Sequence, residues 1–472
     1  MTKKVKKSEY YNRRRRMAAA VLVLVCVFCL SGCGVFDFLE GESAREIDEI
    51  TQEAAEEEIR EETEREAQEK EIQAASSREV SEEAASAETL PSEPQDYPEV
   101  EENLVEEKES SISRSDLEQK REEIGLTEAG ITGLLELQSG NYYFKQLDDA
   151  GKRVYVEMYQ ILTLQAEEIL LSTIDVEVLP GIYQAVINDH PEFFYLSGYT
   201  YTRFVRQDEV KYITFSGRYL YDSEEVAKRQ ALIDAVVDAK VVELIGNDDY
   251  ETVKAVYEDL ILSTDYSMES PDNQNICSVF LDKKSVCNGY AKAAQYLLNY
   301  FGIPCIIVNG TALGNPHAWN IVEIDGAYYH MDVTWGDPSY YSKDTEEKAG
   351  APDIDYSYLC LTTAEISKNH SVDAEFAFPE CTAMHDNYFV REGLYLYGYD
   401  DGLIGEIFAA ARERGENTVC VKASSIGVYQ ELYDNLIDQQ KIFDYFGTYQ
   451  SNGEYKIAYS GNEDLCTISF WE

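Results

Sequence analysis

Two short stretches of the chain gather residue types that can do covalent chemistry together. "SVCNGYAKA" carries Cys287 at the head of an apolar-periodic segment. "NPHAWNIVEIDGAYYHMDVTWGDP", residues 315 to 338, carries His317, Asp332 and two of the chain's three tryptophans around one Asp-Gly turn. A thiolate is a strong nucleophile, an imidazole can take its proton and return it, and a carboxylate can hold that imidazole in one tautomer. Such a set attacks an acyl carbon and passes the acyl group to water or an amine.

Each group must be positioned by its element. Tyr290, Ala294, Leu297, Leu298 and Phe301 recur at helical spacing, and Gly302 with Pro304 ends the run. Cys287 therefore falls in the first turn of a helix or just before it, where the dipole and the terminal N–H groups favour thiolate over thiol. Asn288 and Gly289 keep that turn small, which would let a substrate backbone approach. Cys305, in strand-like "CIIVNG", is expected to be a buried structural thiol.

Asp325-Gly326 is a strong two-residue hairpin signal. Counting outward from this turn pairs Ile324 with Ala327, Val322 with Tyr329, Trp319 with Asp332 and His317 with Thr334. One face then carries Ala318, Val322, Ile324, Tyr329, Met331 and Val333, a core face on which only Asn320 is polar. The other carries His317, Trp319, His330 and Asp332, and reads as functional. On it His317 and Asp332 are diagonal neighbours, about 7–8 Å apart at the backbone and within side-chain reach. Trp319 and Trp335 are expected to wall the site. His330 lies one step deeper and is the weaker base, while His190, His370 and His385 sit in unrelated contexts and read as structural or surface residues. Gln274, upstream of the cysteine in "PDNQNICSVF", is the candidate side-chain donor for an oxyanion, beside the backbone N–H of Cys287.

Taken together, Cys-x-Gly-Tyr-Ala, His-Ala-Trp-Asn and Asp-x-Thr-Trp resemble the core of the transglutaminase-like superfamily, a branch of the papain-like cysteine fold. The resemblance covers roughly residues 250 to 340. It implies Cys287 as nucleophile, His317 as base and Asp332 as orienting acid, with the Cys-bearing helix packed on an antiparallel sheet that bears the other two. No cofactor or metal is expected, because the thiolate supplies the nucleophile and no CxxC pair marks a zinc site. The superfamily also includes members without known catalysis, so a non-catalytic binding or scaffold protein built on this core is the alternative.

The remainder of the 472-residue chain sets the context. A basic start, the apolar run Ala18 to Leu30, which is short of the roughly 20 residues that span a bilayer, and Leu30-Ser31-Gly32-Cys33 read as a secretion signal over 1–32. The Leu-Ser-Gly-Cys step resembles the bacterial lipobox and marks Cys33 for lipidation. Residues 33–115, rich in Glu, Ala and Ser, form an acidic spacer, disordered or a single helix; Glu56/Arg60, Glu61/Arg65 and Glu66/Lys70 are favourable i,i+4 pairs. The formal charge is −49, and removing the eight Lys/Arg and one Glu before Cys33 takes it to about −56, which makes nucleic acid an unsuitable partner. Seven cysteines remain beyond Cys33, an odd number that leaves at least one thiol unpaired.

The fold class expected is α+β, with the transglutaminase-like domain at 248–380 flanked by an N-terminal α/β region at 116–247 and a small C-terminal α/β module at 384–472. In the first region Asp148-Asp149 caps a helix through Leu162. "FFYLSGYTYTRFVRQDEVKYITFSGRYLY" reads as an antiparallel hairpin, and helical patterns follow over Ser223 to Ile245 and Asp248 to Ser263. The module shows strand-like "NTVCVKA" and "EYKIAYS" around helical "EIFAAARERG" and "VYQELYDNLIDQQ". The 36 tyrosines are expected in core or half-buried sheet. The functional expectation is a cell-envelope cysteine acyl-transfer enzyme, held to the membrane outside the cytoplasm through Cys33 and acting on protein or peptide amides.

Overall fold

The computed structural model describes residues 99–107, 112–338, 352–446 and 457–471. The signal, Cys33, the three spacer ion pairs and the whole of 33–98 lie outside the described residues. The fold is α+β, as expected. In the N-terminal region β1 (Glu99–Glu106), β2 (Ile169–Leu170), β3 (Leu196–Arg206) and β4 (Glu209–Tyr219) form a sheet in the order β1-β3-β4-β2. β3 and β4 are the expected hairpin; Gln207 and Asp208 turn it with both φ angles positive (55° and 64°), matching the right-handed twist of the strands. Asp148 caps the Asp149–Thr163 helix by accepting the Gly151 N–H at 2.7 Å, and Val154, Met158, Ile161 and Leu162 are buried. Helices Ser223–Leu244 and Asp249–Leu262 follow, capped by Asp222 and Asp248.

A short parallel pair, β5 (Asp265–Tyr266) and β6 (Lys284–Ser285), leads to the central sheet. There β7 (Cys305–Ala312), β8 (Asn315–Ile324), β9 (Ala327–Met331), β10 (Leu359–Leu361) and β11 (His370–Val372) lie in the order β10-β9-β8-β7-β11, each antiparallel to its neighbours. Asp325 and Gly326 (φ 48° and 87°) make the expected tight turn, and the register from Ile324↔Ala327 to Asn320↔Met331 agrees with the count outward from it. The ladder ends there, so Trp319–Asp332 and His317–Thr334 are not ladder pairs: the Asp332 N–H turns away to donate to the Tyr358 carbonyl at 3.0 Å.

The Cys287–Tyr300 helix lies over β7 and β8 and against the Asp249–Leu262 helix. Its stripe of Tyr290, Ala294, Leu297 and Leu298 is fully buried. Asn320, the polar exception on the helix-facing side of the hairpin, donates its amide to the Ala291 carbonyl at 2.9 Å and so fixes helix to strand. The opposite face is no open surface either. Trp319, Ile321, His330 and Thr334 are all buried on it.

The C-terminal module sets β12 (Tyr395–Leu396), β13 (Thr418–Ala423), β14 (Ala458–Asn462) and β15 (Thr467–Trp471) in the order β12-β13-β15-β14, with helices Asp401–Arg414 and Ile426–Tyr433 over a core that includes Ile404, Val421, Leu432 and Phe470. "VYQELYDNLIDQQ" is helical as expected, but changes to π-helical bonding over Asp434–Asp438. Buried Lys422 fastens the module to the central domain through an ion pair with Glu365 at 2.9 Å. Among the described tyrosines only Tyr397 and Tyr459 are exposed; the rest are buried or half-buried, with Tyr143, Tyr155, Tyr183, Tyr257, Tyr290 and Tyr329 among the largest fully buried side chains.

Candidate active site

Cys287 is the first residue of its helix, with Val286 as an extended N-cap. Helical bonding begins with Tyr290 N–H donating to the Val286 carbonyl at 3.1 Å, so the thiol rides on the turn whose N–H groups form the positive end of the dipole. The loop before it is pinned alongside: the Asn273 carbonyl accepts from Val286 N–H (3.3 Å) and from the Ser285 hydroxyl (3.0 Å), and the Gln274 carbonyl accepts from Lys292 Nζ (3.1 Å). Gln274 thus belongs to the segment lying against the start of the Cys287 helix. Gly289 serves this packing rather than a substrate. A Cβ there would meet Ser285 Oγ at 1.9 Å and the Asn273 oxygen at 2.9 Å, so its smallness admits the protein's own loop.

On the sheet, His317 Nε2 lies 2.8 Å from Asp332 Oδ2. Asp332 is not on a regular strand but at the head of the turn after β9, where its Oδ1 accepts the Trp335 N–H at 3.1 Å. Burial alone would raise its carboxyl pKa, but the charges and N–H donors of His317 and His370 outweigh it and hold the group well below the usual carboxylate range. The ionised oxygen requires a donor, so His317 presents Nε2–H to it. That leaves Nδ1 as the ring nitrogen able to exchange a proton with a thiol. The Tyr290 hydroxyl, one turn beyond Cys287, lies 3.0 Å from Asp337 Oδ2, and Asn320, three residues beyond His317, holds Ala291 of the same helix. The strand that bears His317 and the turn that follows Asp332 are therefore each bonded to the first turns of the Cys287 helix. The three groups are nearly enclosed, at 4, 3 and 1 % exposure for Cys287, His317 and Asp332.

His370 does not belong to an unrelated context, which corrects the expectation from sequence. Its Nε2 lies 3.0 Å from the same Asp332 Oδ2, its Nδ1 lies 2.5 Å from Asn369 Oδ1, and it is buried. β8 and β11 both pair with β7 and not with each other, so their backbones stand about 10 Å apart. The two imidazole centroids are nevertheless 5.3 Å apart. The intervening residues explain this: Gly310 pairs with His317 and Ala312 with His370, so the strand between presents almost no side chain on that face. A three-residue strand such as β11 has too little alternation to announce itself, which is why the sequence did not reveal His370.

The indole of Trp319 stacks on His317 with centroids 6.1 Å apart, and its Nε1–H donates to His330 Nδ1 at 3.0 Å. Burial, with a smaller contribution from His370, pushes His330 down to about 3, so it is a neutral acceptor for the tryptophan. Trp335 lies 6.2 Å from His317 and 4.7 Å from His370, and packs with Tyr358, Leu361 and, from the C-terminal module, Leu465. His190 is structural, bonded to Glu192 and Gln138, and His385 is a surface residue beside Asp386. All seven described cysteines are free. Burial pushes Cys277, Cys381 and Cys420 up to about 12 and also raises Cys305, Cys360 and Cys466, so these six are held as thiols.

Among the described residues, His317, Asp332 and His370 are the one group offering three metal-ligating atoms within 4.8 Å. Two imidazoles and a carboxylate are a donor set that zinc accepts. The missing CxxC pair is thus no guide to this cluster. The same nitrogens now donate to the carboxylate, and an ion would have to displace both protons.

Residues 239–333 match the core of the transglutaminase-like superfamily. Kyphoscoliosis peptidase of Mus musculus is 22% identical over 136 residues, which are 25% of this chain and 21% of the mouse protein, so the chain spans about a fifth of that relative's length. Among solved structures, a TGase is 14% identical with a TM-score of 0.22, over 32% of this chain and 53% of its own. The periplasmic domain of TgpA from Pseudomonas aeruginosa is 17% identical with a TM-score of 0.18, over 26% of this chain and 54% of its own.

Proposed function

Because residues 239–333 are a transglutaminase-like domain, we propose that the protein is a cysteine acyl-transfer enzyme acting on protein or peptide amides. The observation that carries this reading is a thiol at a helix N-terminus whose helix is bonded to the strand and turn holding a buried imidazole–carboxylate pair. In the proposed reaction His317 Nδ1 takes the Cys287 proton as the sulfur adds to the amide carbon. The resulting oxyanion is met by the Cys287 N–H and the Gln274 side chain. As the C–N bond breaks, His317 returns the proton to the leaving amine, and a thioester remains. Water or a second amine then attacks, its proton passing to His317 and on to the departing sulfur. Asp332 keeps the imidazole in its Nε2–H tautomer throughout, and Trp319 and Trp335 wall the reacting groups. The name of the mouse relative, a peptidase, is in line with amide cleavage.

We place this activity outside the cytoplasm, with the protein anchored by lipid at Cys33. Detergent phase partition of the full chain tests the anchor: the wild type should enter the detergent phase, Cys33→Ala the aqueous phase, and equal partition would refute it.

The near-complete burial of Cys287 and His317 favours the second reading, a non-catalytic scaffold. Incubation with casein and a fluorescent primary amine separates the two. Acyl transfer predicts a thioester on the Cys287 peptide by mass spectrometry, with either amine incorporation or new peptide termini, all lost in Cys287→Ser. No adduct and no turnover under either condition would leave the scaffold.

A further inference from the structure

We propose that His370 is a positioning residue of this site: its Nε2–H shares Asp332 Oδ2 with His317, and so fixes the carboxylate's rotamer and the tautomer of the base. The inference rests on the acyl-transfer reading of Cys287.

Three observations carry it. First, two imidazoles converge on one oxygen at 2.8 and 3.0 Å, while the other carboxylate oxygen is held by the Trp335 N–H, so the carboxylate cannot rotate without losing three donors. Secondly, the convergence is built by the fold: β11 reaches the site only because Gly310 and Ala312 leave the face of β7 bare, and a Cβ on Gly310 would lie 2.1 Å from the Ser371 oxygen. Thirdly, His370 is itself held on its other side by Asn369 and enclosed by Trp319, Trp335 and Tyr358. It does not touch the reacting atoms, so it acts through Asp332.

The titratable groups facing His370 are Asp332, His317, His330 and Tyr358. β7 contributes only Gly310 and Ala312 to this face, and the C-terminal module only Leu465 nearby. Burial pulls His370 below the ordinary imidazole range, and Asp332 pulls it the other way. The His370 Nε2–H draws part of the carboxylate's field away from His317. Removing it concentrates that field on His317 and favours the imidazolium, which raises the pH at which the thiolate–imidazolium pair is lost.

The test is the pH profile of alkylation of the Cys287 peptide by iodoacetamide in the full-length protein. The profile is measured for the wild type, His317→Ala, His370→Ala and His370→Gln. His370→Ala should move the alkaline limb up by about one pH unit, and His370→Gln, whose amide restores an N–H near the same place, should bring it back. A limb unmoved in His370→Ala, with the wild type still dependent on His317, overturns the role of His370 alone. A wild-type profile that is indifferent to His317→Ala overturns the acyl-transfer reading beneath it. Imidazole ¹⁵N spectra of the wild type cover the case in which a variant fails to fold: a His370 protonated on Nε2 is expected, and a ring without a proton on Nε2 would overturn the proposal.

Discussion

His317 and His370 meet on one carboxylate oxygen although the strands that carry them do not touch. Their Nε2 atoms lie 2.8 and 3.0 Å from Asp332 Oδ2, and β7 runs between β8 and β11. A buried anion is costly unless its lone pairs are met, and here two imidazoles and a backbone N–H meet them. The site is therefore an ionised carboxylate caged by donors, one of which belongs to the candidate base.

Asp332→Asn should cost about 3–5 kcal/mol of stability near neutral pH, because it breaks a buried charge-assisted network. The folded-state pKa of Asp332 is held below its unfolded value. Its contribution is thus fully present above the unfolded value and is lost as pH falls through the folded one. Urea titrations should show the gap between wild type and variant narrowing below about pH 4. A gap that is constant or widens on acidification would contradict the assignment.

His330 titrates with the opposite chemistry but the same sign. It is held at about 3 in the folded state, against about 6.5 in an unfolded chain. Between those values the unfolded state binds a proton that the folded state refuses, so stability falls as pH falls, by up to about 1.4 kcal/mol per pH unit. His330→Gln, whose amide oxygen can still accept the Trp319 N–H, should flatten that slope by one proton's worth. Stability series measured from neutral to mildly acidic pH will show whether it does.

Gly310→Val places a branched side chain between the two imidazoles and against the Ser371 oxygen, which a Cβ would already approach to 2.1 Å. Overpacking of this kind costs about 1–3 kcal/mol. The expected signature is specific: the ¹⁵N resonances of His317 and His370 shift together as β11 is displaced, and Cys287 alkylation slows. Movement of neither imidazole would show that β7 does not set their separation.

Gly336→Ala tests the turn that carries Asp332. A Cβ at Gly336 would sit 1.8 Å from the Tyr257 hydroxyl, which is buried and donates to the Asp355 carbonyl at 2.7 Å. The variant should lose stability and Cys287 reactivity together. Combined with Tyr257→Val it should lose less than the sum of the two single changes, because the clash is removed with the ring. Additive losses in urea midpoints would locate the effect elsewhere.

The hairpin was legible in the sequence because its signals are local: an Asp-Gly turn fixes the register, and two-residue periodicity assigns the faces. The Cys287 helix was legible for the same reason, through a 3.6-residue stripe closed by Gly302 and Pro304. What escaped was non-local. His370 comes from a three-residue edge strand that shows no periodicity of its own, and its approach depends on small residues on a third strand. Gly289 misled because smallness next to a nucleophile suggests substrate access, whereas Ser285 and Asn273 occupy the space. Counting outward from the turn puts Asp332 in the ladder, but the Tyr358 carbonyl draws its N–H away.

The central claim, that Cys287 is paired with His317 as a reactive thiolate, is tested most directly by the ratio of its alkylation rates at about pH 6 and pH 9. A ratio is independent of how far burial slows the reagent. An isolated thiol with a pKa near 8.5 is almost wholly protonated at the lower pH, so its rate rises by about two orders of magnitude across this range. The account predicts rates within about tenfold of each other in the wild type, and the steep rise restored in His317→Ala. A steep rise already present in the wild type, unchanged by His317→Ala, would contradict it.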